Sequence, residues 1–210
     1  MIAANPVYAA LGTTIFEAMS RLADQHGAIN LGQGFPDETA PREILEKAAD
    51  ALLTGSNQYP SMLGVPALRQ AIAAHEKRHW DLERAWNDEV VVTSGATEAL
   101  ADAIFTFFRD GDEIIVFEPL YDAYAPLIRR AGAKPVSVRL EPPDWRLDQT
   151  ALKRALTPKT RGVLLNDPLN PAAKVYERSE LEAIARTCQE ADLLAIVDAV
   201  YEHLTFDGRK

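Results

Sequence analysis

The 210-residue chain has a single cysteine, Cys188, and only four histidines. One thiol excludes an internal disulfide and any multi-cysteine metal site. Cys188 sits in the pattern Leu181-x-x-Ile184-Ala185-x-x-Cys188, the apolar face of an expected helix, and reads as a buried structural thiol. His26, His75, His79 and His203 are scattered. His75 and His79 stand four apart, but on the charged helix end Ala74-His75-Glu76-Lys77-Arg78-His79. Solvated side chains are expected there rather than a metal pair, and no metal site is expected. Cations are also in short supply. Lys and Arg number 22 against 31 Asp and Glu, a net charge of -9. That balance argues against a nucleic-acid partner. No apolar run approaches membrane-spanning length. The start, Met1-Ile2-Ala3-Ala4-Asn5-Pro6, lacks the basic segment of a secretory leader and is broken by proline. A cytoplasmic protein without a membrane partner is expected.

What is present is an ordinary globular composition, 47% hydrophobic and 25% charged, enough for one sizeable core. Apolar periodicity predicts helices over Ile15–His26, with Phe16, Met19 and Leu22 on one stripe, over Pro41–Leu53, and over Pro66–Trp80. Two irregular loops separate them, Asn30-Leu31-Gly32-Gln33-Gly34-Phe35-Pro36-Asp37 and Ser56-Asn57-Gln58-Tyr59-Pro60-Ser61. Near residue 88 the pattern changes to alternating short apolar runs and helices. Strands are expected at Val90–Thr93, Ile114–Phe117, Pro135–Val138, Gly162–Leu165 and Leu193–Val197. Helices are expected at Ala96–Phe108, Tyr121–Ala131, Asp148–Leu156 and Ser179–Glu190, the last with Ser179 as N-cap and Glu182 at capping-box spacing. Such alternation implies βαβ units and an α/β fold with a mostly parallel sheet.

In such folds ligands sit at the carboxyl ends of the strands. Thr93-Ser94-Gly95-Ala96-Thr97-Glu98 takes a strand through a glycine turn into a helix, whose first N–H groups make an anion site or need only an ordinary cap. It lacks the glycine spacings of dinucleotide and NTP loops. Tyr121, after the next strand, is a plate for a planar ligand or a core aromatic. Asn170, between Pro168 and Pro171, places an amide at the same edge or makes a turn. Asp198 ends the unbroken run Leu193-Leu194-Ala195-Ile196-Val197, which reads as a strand covered on both faces. A carboxylate there caps a turn or meets a cation. An anion cradle, an aromatic plate, an amide and a carboxylate, in that order, suit a phosphate-bearing planar ring with a protonatable nitrogen. Pyridoxal 5'-phosphate is such a molecule.

The chain resembles the class I/II aminotransferases of pyridoxal phosphate fold type I. The resemblance is strongest to the branch holding kynurenine/glutamine transaminases and methionine aminotransferases. It is carried by Asn30–Asp37, Asn57-Gln58-Tyr59, Ser94-Gly95-Ala96-Thr97-Glu98-Ala99, Glu118-Pro119-Leu120-Tyr121-Asp122-Ala123-Tyr124, Asn170-Pro171 and Asp198-Ala199-Val200-Tyr201-Glu202. It implies a three-layer α/β/α large domain. Residues 1–40 would be an N-terminal arm and helix, and 41–210 an incomplete cofactor-binding domain, with its C-terminal part and the small domain missing. It implies that Ala96 and Thr97 hold the cofactor phosphate, Tyr121 stacks on the ring, and Asn170 and Tyr201 bond its phenolic oxygen. Asp198 would pair with the ring nitrogen and Gly34 would lie beside the substrate carboxylate. Tyr59 would reach the phosphate of the neighbouring subunit in a homodimer. The implied activity is amino-group transfer between an amino acid and a 2-oxo acid.

The sequence departs from that family in three places. Ala172-Ala173 stands where Thr-Gly is usual, Ala199 replaces a usual Glu, and Asp167-Pro168-Leu169 is unusual before Asn170. The family's Schiff-base lysine and substrate-binding arginine belong to a later part of its chain. None of Lys47, Lys77, Lys134, Lys153, Lys159, Lys174 and Lys210 has the family's Ser-x-x-Lys context. These 210 residues alone are therefore expected to be inactive. A non-catalytic remnant that binds a phosphate ligand or a partner chain is the alternative.

Overall fold

The computed structural model describes residues 2–32, 34 and 38–208. Gln33, Phe35, Pro36 and Asp37 of the first loop, and Lys210, lie outside the described residues. The chain divides into two compact units, 1–92 and 93–210. The division lies near the change of pattern at residue 88.

The first unit holds α1 (Pro6–Ala9), α2 (Ile15–His26), α3 (Arg42–Thr54), α4 (Pro66–Trp80) and α5 (Trp86–Glu89). α2 begins where the Thr14 hydroxyl accepts the Glu17 N–H, and ends at Gly27, which is left-handed at φ +57°. Its expected stripe is largely open to solvent, with Met19 39% and Leu22 46% exposed. Arg69, on α4, is the buried polar anchor of this unit. Its Nε donates to the Val90 carbonyl at 2.7 Å and its Nη2 to the Asn87 carbonyl at 2.9 Å. Its guanidinium lies 5.4 Å from the centroid of the Trp86 ring. A charged fork of this kind ties down the segment after α5 more firmly than a neutral donor would. Val90–Thr93, expected as a strand, is not one. Its backbone finds other partners: Val90 accepts from Arg69, and the Val92 N–H donates to the Leu63 carbonyl at 3.0 Å. Those bonds do the work a ladder would otherwise do.

The second unit runs α6 (Ala96–Phe107), β1 (Glu113–Glu118), α7 (Tyr124–Arg130), β2 (Lys134–Arg139), α8 (Gln149–Arg154), β3 (Thr160–Asn166), α9 (Arg178–Glu190) and β4 (Leu194–Asp198). The four strands lie in the order β2-β1-β3-β4, all parallel. Val116 stands opposite Ser137 on one side and Leu164 on the other, and Leu164 opposite Ile196. Strand side chains alternate between faces, and both faces of the central strands are covered. Ile114, Val116 and Leu164 pack with Leu100, Ile104 and Phe108 of the α6 segment and Ile128 of α7. Ile115, Phe117, Val163 and Leu165 pack with Leu152 of α8 and with Ile184 and Cys188 of α9. This is the expected three-layer arrangement. Cys188 is buried, and burial pushes its thiol above the ordinary value, as suits a structural cysteine.

Three expectations need correction. β4 is not covered on both faces: Val197 is 56% exposed. β4 is an edge strand, with no strand beyond it among the described residues. α7 starts at Tyr124, not Tyr121, because residues 121–123 form a turn after the strand. The N-cap of α9 is Glu177, not Ser179, and the reciprocal capping box is made with Glu180.

Gly162 is required by close packing. A Cβ there would come within 2.5 Å of the buried Phe108 ring and 3.0 Å of the Leu194 carbonyl oxygen. Gly162→Ala is expected to lower stability by about 1–3 kcal/mol, read as a lower midpoint in denaturant titration. An unchanged midpoint would show that Phe108 yields without cost.

Candidate active site

Because the strands are parallel, β1, β3 and β4 deliver their carboxyl ends to one edge. A cleft of about 180 Å³ opens there, in the second unit. Six of the expected residues line it: Ala96, Thr97, Tyr121, Asn170, Asp198 and Tyr201. The other two, Gly34 and Tyr59, belong to the first unit. Gly34 is exposed, and Tyr59 is 94% exposed with a left-handed φ of +49°.

One end of the cleft is the start of α6. Its N-cap, Gly95, sits at φ +87° and ψ 164°, a conformation that residues with a Cβ avoid. No side chain caps this terminus among the described residues. The amide groups of the first turn and the positive end of the helix dipole are thus presented by Ala96 and Thr97. The Ser94 N–H is already taken by the Glu98 carboxylate.

Asp198, at the end of β4 and half-buried, also lines the cleft. No cationic side chain meets it among the described residues that line the cleft. Its Oδ2 instead accepts from the Tyr124 hydroxyl at 2.8 Å, and its Oδ1 from the Val200 N–H at 3.2 Å. Tyr124 is only 2% exposed. Burial first, and then the bond to Asp198, push its hydroxyl far above the ordinary tyrosine value, so it stays a neutral donor. Tyr121 packs edge-on against Tyr124, with centroids 5.6 Å apart at 73°.

Asn166 joins two of the expected residues. It is 3% exposed. Its Nδ2 donates to the Asp198 carbonyl at 2.9 Å, and its Oδ1 accepts the Asn170 N–H at 2.7 Å. The Asp167 N–H donates to the same Asp198 carbonyl at 3.1 Å. One buried amide thereby sets the Asn170 loop against the end of β4. Sequence reasoning gave roles to neither Asn166 nor Tyr124. Asn166 is the first polar residue after Val163-Leu164-Leu165, and a buried amide at a strand end needs partners. For Tyr124 no signal of its partner exists, because Asp198 lies 74 residues away.

The family model described as aminotransferase class I and II matches residues 26–210. The chain belongs to that family. Its members are pyridoxal phosphate enzymes. The chain is 48% identical over 197 residues to a probable N-succinyldiaminopimelate aminotransferase of Mycobacterium tuberculosis, covering 93% of this chain and 50% of the relative. It is 44% identical over 196 residues to the methionine aminotransferase of Escherichia coli, covering 93% and 51%. The solved structure of the N-succinyldiaminopimelate aminotransferase from Mycobacterium tuberculosis superposes with a TM-score of 0.94 at 45% identity, covering 99% of this chain and 55% of that one. The chain thus spans about half the length of the relatives it matches.

In this chain the lysine nearest in sequence to Asn170 is already engaged. Lys174 is buried, and its Nζ donates to both carboxylate oxygens of Glu180, at 3.0 and 2.7 Å. Glu180 also accepts the N–H groups of Leu147 and Glu177, at 2.8 and 2.9 Å. Burial alone would raise the Glu180 carboxyl, but Lys174 and these two amides outweigh it and hold it below the ordinary value. Lys174→Ala would leave this carboxylate buried and unpaired. It is expected to cost about 3–5 kcal/mol in unfolding free energy. A lowered carboxyl stabilises the fold above the ordinary glutamate value, and that contribution is lost as pH falls through the lowered one. Denaturant titration in neutral and acid buffer checks both statements. An Ala variant of wild-type stability would show the pair to be dispensable.

Ala173 stands where the family usually has glycine, and it is left-handed, with φ +52°. A Cβ in that region costs about 1–2 kcal/mol. Glycine gives part of that back through the entropy of the unfolded chain. Ala173→Gly is therefore expected to raise stability by roughly 0.5–1 kcal/mol, measured as a higher thermal midpoint. A lower midpoint would show that the turn carries no strain.

Proposed function

We propose that this cleft binds pyridoxal 5'-phosphate, and that the protein transfers an amino group between an amino acid and a 2-oxo acid. The observation that carries the proposal is the presence, in the lining of one cleft, of a helix start without a side-chain cap and a carboxylate held by a neutral donor. The fit is chemical. The amides of Ala96 and Thr97 suit a phosphate dianion, and Asp198 suits a protonated ring nitrogen. Tyr121 offers a ring face, and Asn170 and Tyr201 offer donors for the phenolic oxygen. Once bound, the protonated ring draws electron density from the amino acid's α-carbon as its proton leaves.

The work of this chain's own residues is to bind and orient. Asp198 would hold a proton on the ring nitrogen by accepting a hydrogen bond from it. Asn166 fixes Asn170 relative to Asp198, so that donors to two different atoms of the ring stay in register. Gly34 is proposed to lie beside the substrate carboxylate. Tyr59 is proposed to reach the phosphate site of a second subunit in a homodimer, and its near-complete exposure supports that role. No lysine lines the cleft among the described residues. Removal of the α-proton therefore needs a group that these residues do not include, and the chain by itself is expected to bind without turnover.

Titration with pyridoxal 5'-phosphate, followed by absorbance, tests the proposal. Asp198→Ala is expected to weaken binding roughly ten- to hundred-fold, the worth of a hydrogen-bonded charge. Unchanged affinity would remove Asp198 from the site. In the full-length protein, borohydride is expected to fix the cofactor absorbance onto one lysine. No labelled lysine would reject the transaminase reading, and turnover by the 210-residue chain would reject the binding-only role.

A further inference from the structure

We infer that Tyr124 is a positioning residue that sets where the proton rests between Asp198 and a bound pyridine nitrogen. The inference rests on the proposed cofactor site and adds a residue to which the resemblance gave no role. Three observations carry it. The Tyr124 hydroxyl donates to Asp198 Oδ2 at 2.8 Å. The side chain is almost wholly buried, within the cluster formed by Leu100, Ile104, Val116 and Ile128. Its ring meets Tyr121 edge-on, so the proposed ring plate and the carboxylate rest on one side chain.

Two consequences follow. A carboxylate at a strand end rotates about its side-chain bonds unless both oxygens are held. Here Tyr124 holds Oδ2 while the Val200 N–H meets Oδ1, and that restricts the direction in which the remaining lone pairs point. The second consequence is electronic. A proton shared between a pyridine nitrogen and a carboxylate rests nearer the more basic partner. A donor hydrogen bond stabilises the ionised carboxylate and lowers its basicity. The proton therefore stays on nitrogen. Tyr124 performs this role without giving up its own proton, because burial raises its hydroxyl above the ordinary tyrosine value. A residue that merely filled the core would need no hydroxyl here, and phenylalanine would serve.

The test uses the full-length protein loaded with 15N-labelled pyridoxal 5'-phosphate, with the ring nitrogen followed by NMR at fixed neutral pH. Tyr124→Phe is expected to move the resonance toward the unprotonated pyridine position and to weaken cofactor binding about ten-fold. Incorporation of 3-fluorotyrosine at position 124 keeps the ring and makes a stronger donor, so it is expected to move the resonance the other way. It also serves if the phenylalanine variant does not fold. A resonance unmoved in both variants would overturn the inference and leave Tyr124 a packing residue. Asp198→Ala separates this failure from that of the underlying site. If the ring nitrogen is indifferent to Asp198, the site reading fails. If it responds to Asp198 but not to Tyr124, only the present inference fails.

Discussion

Four strands that run in one direction leave all their carboxyl ends on one edge, and the second unit follows from that constraint. Parallel pairing needs crossovers, and the crossovers supply α7, α8 and α9. Helices on both faces bury the middle of β1 and β3, which is why Ile114–Phe117 and Val163–Leu165 are apolar at successive positions and so on both faces. What cannot be buried cheaply, the turns after each strand, gathers at the shared edge. Tyr121 follows β1, Asn170 follows β3, and Asp198 ends β4. They converge because the sheet has one polarity, not because they are close in sequence.

Convergence alone gives a cleft and not a site. Precision comes from two buried polar residues that touch the expected ones from behind. Asn166 spends both ends of its amide on backbone, one on the Asp198 carbonyl and one on the Asn170 N–H. Tyr124 spends its hydroxyl on the Asp198 side chain. Backbone and side chain of Asp198 are thereby held by different elements, β3 and α7. A buried amide or hydroxyl left without partners is costly, so each of these bonds is also a constraint on the fold. The same logic runs through Glu180, whose four accepted bonds join the turn before α8 to the start of α9.

Periodicity made the layers legible. Every strand of the sheet and every helix of the second unit is visible in the apolar spacing, as are the motifs that carry the family. The misreadings have a common cause, which is that local pattern competes with distant partners. Val90-Val91-Val92 has the composition of a strand, yet a buried arginine more than twenty positions earlier takes its carbonyl. Ser179 and Glu182 have capping spacing, yet Lys174 and the Leu147 amide draw in Glu180, and the cap moves to Glu177 with it. The apolar run ending at Asp198 looks doubly covered, yet among the described residues β4 has a strand on one side alone, and a run of apolar residues does not say how many neighbours it has.

Asp198 shows how far such a reading reaches. A carboxylate at a strand end invites the question of what offsets its charge, and from sequence the natural answer is a cation. The fold supplies a neutral hydroxyl and an amide first. These satisfy part of the carboxylate without neutralising it, and that distinction matters for chemistry. A lysine or arginine in the place of Tyr124 would have used up the charge internally. A neutral donor leaves the carboxylate without an internal cation at the cleft it lines, where a protonated ring nitrogen is its proposed counterpart. A hydroxyl rather than a cation at this position is what the proposed role of Asp198 as a ligand's counter-charge requires.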